Sequence, residues 1–255
     1  MKILLTNDDG LHAPGIAALE AVAPTFGEVW VVAPHQERSG ASHALTMNEP
    51  LRVQDHGPRR FASTGTPVDC VYLGIHSLLN GMPDLVLSGI NKGANLGDDV
   101  LYSGTVGAAR EAALNGLPAL AVSLATDGST GELHFESAAA IACQVITEHI
   151  KNGLPEGVLL NLNVPNLPLS EVHGIKVCGL GRRHYDPWVE EREDPRRKPY
   201  FWIGGAPSGS GMTEGTDGWW VARGYASLTP LGLDSTQHEQ LAAVDAWTLN
   251  QGRGT

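Results

Sequence analysis

The sequence predicts an α/β sandwich built on a mainly parallel sheet. Three observations lead there. Short apolar runs recur along the first 165 or so residues, stretches with helical character fall between them, and 42% hydrophobic against 18% charged residues suffices for a sizeable core. Unbroken apolar runs suit strands buried on both faces, as parallel strands are. Strand–helix alternation is the signature of this layered class.

In chain order, strands are expected at residues 3–6, 29–33 (VWVVA), 85–88, 119–123 and 158–161. Helices are expected over 14–25, 67–79, 105–115 and 134–151. Residues 43–63 break the rhythm and read as a strand pair or an excursion. Beyond about residue 170 the texture changes. Residues 190–198 (EEREDPRRK) are a charge run containing Pro195, expected as a solvated loop. Four of the six tryptophans lie between 188 and 220, and with Tyr200, Phe201 and Tyr225 among Gly-rich turns they read as β-hairpins. So many rings in a small appendage need a partner surface, and a contact between subunits is favoured over the protein's own core. Residues 250–255 are expected to fray. The chain thus divides into a core over 1–170 and an extension over 171–255 that completes the same domain and supplies oligomer contacts.

Several function classes are disfavoured at once. A formal net charge of -11 argues against a broad surface for a nucleic-acid polymer or an anionic membrane, both of which require clustered Lys and Arg. No run approaches the ~20 apolar residues needed to cross a bilayer. The opening MKILLTNDDG falls short of a signal peptide's apolar region. The three cysteines, Cys70, Cys143 and Cys178, are odd in number and form no CxxC pair, as expected of thiols in a reduced compartment. The expectation is a soluble, cytoplasmic protein. Nucleotide P-loop, GxGxxG, HExxH and GxSxG patterns are all missing from the sequence.

The chemistry gathers behind the strands. Asp8 and Asp9 follow the first expected strand, and ligand sites in open parallel sheets lie beyond the carboxyl ends of strands. Adjacent carboxylates repel unless a cation or protons relieve the charge, and hard oxygen donors suit magnesium, manganese or calcium. Asn-Asp-Asp-Gly is also good turn chemistry with no metal at all. Ser39 follows the second expected strand, and Asn91 and Asn95 lie in a polar, Gly-rich stretch after the third. Each alone reads as a turn residue, but parallel pairing would bring all three loops to one edge. Ser103-Gly104-Thr105 then opens a helix, where a hydroxyl caps the first turn and exposed amides with a close-packed glycine can cradle phosphate. His12, His35 and His43 fall near these loops by chain position and could carry protons.

These residues resemble a known family. NDDG at 7–10, APG at 13–15, VVAP at 31–34, RSG at 38–40, GTPVDCVYLG at 65–74 and SGIN at 88–91 are similar to the SurE survival-protein nucleotidases. NLGDDVLYSGTVGAAREA at 95–112 and TDGWWVARGYASLTPL at 216–231 extend the resemblance over most of the chain. It implies a Rossmann-like three-layer core with a C-terminal β-hairpin extension used in a homodimer or homotetramer. It also implies a 5'-nucleotidase hydrolysing nucleoside 5'- and 3'-monophosphates, with short polyphosphate as a further substrate. One divalent ion per subunit, Mg2+ or Mn2+, is implied on Asp8, Asp9, Ser39 and Asn91, with Asp8 or Asp9 acting on the attacking water. Asn95, Ser103, Gly104 and Thr105 are implied at the phosphate. One departure stands out: Pro195-Arg196-Arg197-Lys198-Pro199 replaces the Pro-Arg-Gly stretch of many relatives. Two rival classes are a nucleotide or metal sensor without turnover, and a diphosphate-handling transferase, which would favour a DxD spacing over adjacent aspartates.

Overall fold

A computed structural model describes residues 1–126, 131–205, 207–208 and 212–247, so the expected fraying of 250–255 lies outside the described residues. The first eight strands are β1 (Lys2–Thr6), β2 (Glu28–Pro34), β3 (Val53–Asp55), β4 (Arg60–Ser63), β5 (Leu85–Lys92), β6 (Ala119–Ala125), β7 (Val158–Pro165) and β8 (Ile175–Val177). Then come β9 (His184–Tyr185), β10 (Trp188–Glu193), β11 (Pro199–Gly204), β12 (Pro207–Ser208) and β13 (Ala226–Gly232). The helices are α1 (Pro14–Val22), α2 (Pro67–Leu73), α3 (Gly104–Leu114), α4 (Phe135–Asn152), α5 (Asp217–Val221) and α6 (Leu241–Asp245).

Nine strands form one sheet in the order β3-β4-β2-β1-β5-β6-β7-β13-β8. The run from β4 to β7 is parallel, while β3 and β13 each pair antiparallel with an inner neighbour. Alternation along each strand builds two cores. Ile3, Leu5, Leu87, Val122 and Leu162 face α1 and α4, which contribute Ile16, Leu19, Ile141 and Val145. Leu4, Val86, Ala121 and Leu159 face α2 and α3, which contribute Cys70, Val71, Val106 and Ala109. The result is a three-layer α/β/α sandwich. The chain runs outward from β1 through β2 to β4, then returns to place β5 on the other side of β1. That reversal opens a crevice at the carboxyl ends of β1 and β5, the usual place for a ligand in such sheets.

Several expectations needed correction. Residues 89–92 read as loop, yet β5 continues to Lys92, with a register shift against β6 between Ser88 and Asn91. Gly89 marks this irregularity because a Cβ there would come 2.3 Å from the Val122 carbonyl oxygen. Residues 43–63 do hold a strand pair, one of the two readings expected of them: β4 extends the parallel sheet and β3 pairs back onto it. The charge run is not simply a loop. Glu190–Glu193 lies within β10, opposite the aromatic β11, with Glu190 paired across to Trp202 and Glu191 to Phe201. Trp219 and Trp220 sit on α5 rather than in a hairpin, with Trp220 packed edge-on to Tyr225. No helix among the described residues is long and apolar enough to cross a membrane.

Candidate active site

The turn after β1 separates structural from chemical duty. Asn7 closes it, its side-chain amide donating to the Gly10 carbonyl (2.9 Å) and its Oδ1 accepting the Gly10 N–H (3.2 Å). Both aspartates are thereby released from turn-making. Asp8 is buried, and its Oδ1 accepts the Thr105 hydroxyl at 2.5 Å. Asp9 Oδ2 accepts the backbone N–H of Lys92 at 3.0 Å, tying the end of β1 to the end of β5. Burial pushes the Asp8 carboxyl up to about 6, against the Thr105 hydrogen bond and with help from the Asp9 charge. Burial also raises Asp9, and the nearby Glu37 charge adds to the rise. Among the described residues, neither carboxylate is held in an ion pair. The Lys92 charge acts on Asp9 from nearby but makes no ion pair with it, and a desolvated acidic pair of this kind is suited to a bound cation.

The other two expected ligands lie on segments fastened to this pair. The Arg38 N–H donates to the Asp8 carbonyl at 2.7 Å, so the loop carrying Ser39 begins at Asp8. Ser39 itself is exposed, its hydroxyl donating to Glu37 Oε1 at 2.8 Å. Asn91 stands at the end of β5, where its amide nitrogen donates to the Gly93 carbonyl at 2.8 Å and leaves its oxygen as a donor atom for a metal. No cluster of three His, Cys, Asp or Glu side chains suited to a metal occurs among the described residues. A cation here would rest on two carboxylates and neutral oxygens, which fits Mg2+ or Mn2+ better than zinc.

The residues expected at the phosphate close over Asp8 from the other side. Ser103 caps α3, its hydroxyl accepting the Val106 N–H at 3.1 Å. Thr105 does not cap; it reaches Asp8. Gly104 permits the approach, since a Cβ there would sit 3.1 Å from both Cβ and Oδ2 of Asp8. The helix N-terminus and the acidic pair therefore share one small volume, where free amides favour an anion. Asn95 is buried, with its amide nitrogen donating to Ser123 at 2.7 Å, so its second N–H remains for an anionic ligand.

Sequence reasoning missed the residues that hold Asn95. Asn163 accepts the Asn95 N–H at 2.8 Å and donates to its carbonyl at 3.0 Å, and Asn161 donates to the same carbonyl at 2.9 Å. The signal was available. Two asparagines at positions i and i+2 of an otherwise apolar run (VLLNLNVP) share one face of a buried strand, where polar groups require partners. Replacing Asn163 with alanine leaves the buried Asn95 N–H without an acceptor. We expect a loss of about 1–3 kcal/mol in denaturant unfolding, with slower turnover. Unchanged stability would show that Asn163 does not hold the loop.

Two clefts open beside the acidic pair. One, of about 330 Å3, is lined by Asp9, His12, His35, Lys92 and Phe135. The other, of about 580 Å3, is lined by Glu37, Arg38, Ser39 and Thr66. His43 is directed elsewhere, pairing with Glu111 at 2.8 Å. A cavity of about 610 Å3 lies away from the carboxylates, walled mainly by apolar side chains such as Val145, Leu154, Leu160 and Ile175. Its polar lining residues, Gln144, Thr147, Glu148, His149 and Asn152, all stand on the single helix α4.

Comparison with known proteins agrees with this architecture. Residues 3–187 match the family described as Survival protein SurE. The chain is 49% identical over 253 residues to a protein of Geobacter sulfurreducens named 5'-nucleotidase SurE, covering 99% of this chain and 96% of that one. It is 50% identical over 249 residues to the protein of the same name from Pelobacter propionicus, covering 98% and 100%. The crystal structure of the SurE protein from Aquifex aeolicus superimposes with a TM-score of 0.85 at 41% identity, covering 96% of this chain and 98% of that one. With the family's pattern spanning most of the chain and its fold reproduced throughout, this protein belongs to the SurE family.

Proposed function

We propose that the protein is a 5'-nucleotidase that hydrolyses nucleoside monophosphates with one divalent metal ion per subunit, Mg2+ or Mn2+. The observation carrying this reading is the meeting of Asp8 with the N-terminus of α3 through Thr105, which joins a cation site to an anion site. Curated relatives named 5'-nucleotidase SurE, 49% and 50% identical over nearly the whole chain, support the substrate class. Nucleoside 3'-monophosphates and short polyphosphate belong to the same proposal, since each would present a phosphoryl group to the same carboxylates and helix N-terminus.

Asp8, Asp9, Ser39 and Asn91 would hold the ion. When bound, it supplies charge neutralisation at the phosphoryl group and favours ionisation of water. The chain's own residues do the positioning. The first-turn amides of α3 and the remaining Asn95 N–H donate to phosphoryl oxygens, whose charge spreads in the transition state. Thr105 fixes the Asp8 carboxylate. Asp8 or Asp9 would orient the attacking water and take its proton, and Asp9 is itself held by the Lys92 amide through Oδ2. The core over 1–170 carries this machinery. The hairpin β10–β11 exposes Trp188, Phe201, Trp202 and Ile203, and we assign it to contacts in a homodimer or homotetramer.

Phosphate release from nucleoside 5'- and 3'-monophosphates, measured with Mg2+, with Mn2+ and with chelator, tests the reading. Release is expected with either metal, is lost in chelator and returns on metal addition. Release unaffected by chelator, or no release from folded protein under any condition, would overturn it.

A further inference from the structure

Among the described residues, only three charged side chains are buried: Asp8, Asp69 and Asp217. A buried carboxylate without a cation is costly unless hydrogen bonds satisfy it. Asp8 belongs to the site above. Asp69 accepts the Thr46 N–H (2.8 Å), the Thr46 hydroxyl (2.6 Å) and the Thr66 N–H (2.8 Å), which fastens the segment after Ser39 to the start of α2. Asp217 is satisfied across a far longer span of chain. It is fully buried at the first position of α5, beyond the segment matched by the family pattern.

Its two oxygens collect amides from three places in the chain. Oδ2 accepts the Gly97 N–H at 2.8 Å, across 120 residues of sequence. Oδ1 accepts the N–H groups of Gly181 and Gly218, each at 2.8 Å. The segments meet without space to spare. A Cβ on Gly97, whose φ is +53°, would lie 2.8 Å from the Gly181 carbonyl oxygen, and a Cβ on Gly181 would lie 2.8 Å from the Thr216 hydroxyl. Gly97 starts the short 3-10 turn Gly97–Leu101, two residues after Asn95 and just before the Ser103 cap of α3. The same turn is gripped again nearby. Arg183 Nη1 lies 2.8 Å from Asp99 Oδ2, and the Tyr185 hydroxyl donates to Asp99 at 2.7 Å.

We propose that Asp217 is a positioning residue for phosphate: through the Gly97 amide it sets the loop that carries Asn95 and the N-terminus of α3. This rests on the phosphate reading of that loop. It assigns the C-terminal extension a part in the anion half of the site and none in the metal half, whose loops are fastened by other contacts. Asp217→Asn separates the two halves. The amide oxygen can keep Gly181 and Gly218, but its NH2 then faces the Gly97 N–H, donor against donor.

The test uses the full chain loaded with Mn2+ and titrated calorimetrically with inorganic phosphate, alongside a separate Mn2+ titration and kinetics on a nucleoside monophosphate. In Asp217→Asn, phosphate affinity is expected to fall at least tenfold and kcat to fall with it. Mn2+ affinity stays within twofold, and hydrogen exchange at the Gly97 amide speeds up. Gly181→Ala, which crowds Thr216 while leaving Asp217 in place, is expected to shift phosphate binding in the same direction by less. It serves as the test if the first variant does not fold. Phosphate affinity within twofold of the parent, or equal losses of phosphate and Mn2+ binding, would overturn the proposal. Because binding is read directly, a parent that binds phosphate without turning over would count against the hydrolase reading and leave the positioning role standing.

Discussion

Replacing Asp8 with asparagine is expected to abolish phosphate release and, at the same time, to make the metal-free protein more stable. The first effect follows from loss of a charged ligand for the proposed ion, and we expect turnover to fall at least about a thousandfold. The second follows from burial. The Asp8 carboxyl is raised from 3.8 to about 6, so keeping it ionised at neutral pH costs the metal-free fold about 3 kcal/mol. Asparagine is close to isosteric and its oxygen can still accept the Thr105 hydroxyl. The pH dependence has a definite sign. A folded pKa above the unfolded one means that the folded protein takes up a proton first as pH falls. The parent's penalty is complete above about pH 6 and fades toward pH 3.8, whereas asparagine at this position does not titrate. Denaturant unfolding in chelator at pH 7.5 and pH 4.5 measures both points. A variant less stable than the parent at pH 7.5, or turnover within tenfold of it, would contradict the placement of Asp8 as a buried metal ligand.

Gly15→Ala is expected to be among the most damaging single-atom additions to the chain. Gly15 is where α1 lies against β5, and a Cβ there would fall 1.9 Å from the Ile90 carbonyl oxygen and 2.9 Å from its carbon. Backbone atoms cannot swing aside as a side-chain tip can, so the helix and strand must separate. We expect a loss of about 3 kcal/mol or more, at the upper end of overpacking effects. Asn91 follows Ile90 directly, so Mn2+ affinity should weaken in whatever protein remains folded. Thermal unfolding and Mn2+ calorimetry report the two effects. A parent-like melting temperature would show that α1 and β5 do not pack this closely.

The APG motif that contains Gly15 illustrates how unevenly a sequence discloses its structure. The alternation of apolar runs and helices predicted the layered sheet because β1, β2, β5, β6 and β7 each obey a local pattern, whereas the short β3 and β4 do not. The convergence of Asp8, Ser39 and Asn91 at one edge followed from parallel pairing alone, and the structure does join their segments through the Arg38 and Lys92 amides. Residues 89–92 misled because glycine and asparagine carry turn propensity, whereas tertiary pairing with β6 decided the strand. Trp219 and Trp220 misled for the reverse reason. Their aromatic character suggested strands, but Thr216 and Asp217 open a helical turn there. The supports of the site were the least legible part. Asn163 reaches Asn95 across 68 residues and Asp217 reaches Gly97 across 120, and no local periodicity encodes such pairs.

The central claim is that one ion sits on Asp8, Asp9, Ser39 and Asn91, with phosphate held between it and the N-terminus of α3. A crystal grown with Mn2+ and inorganic phosphate, with diffraction recorded across the manganese absorption edge, tests it most directly. A single anomalous peak per subunit is expected, coordinated by those four side chains, with phosphate within hydrogen-bonding distance of the first-turn amides of α3. A manganese peak elsewhere, or phosphate bound away from α3 with the ion in place, would contradict it.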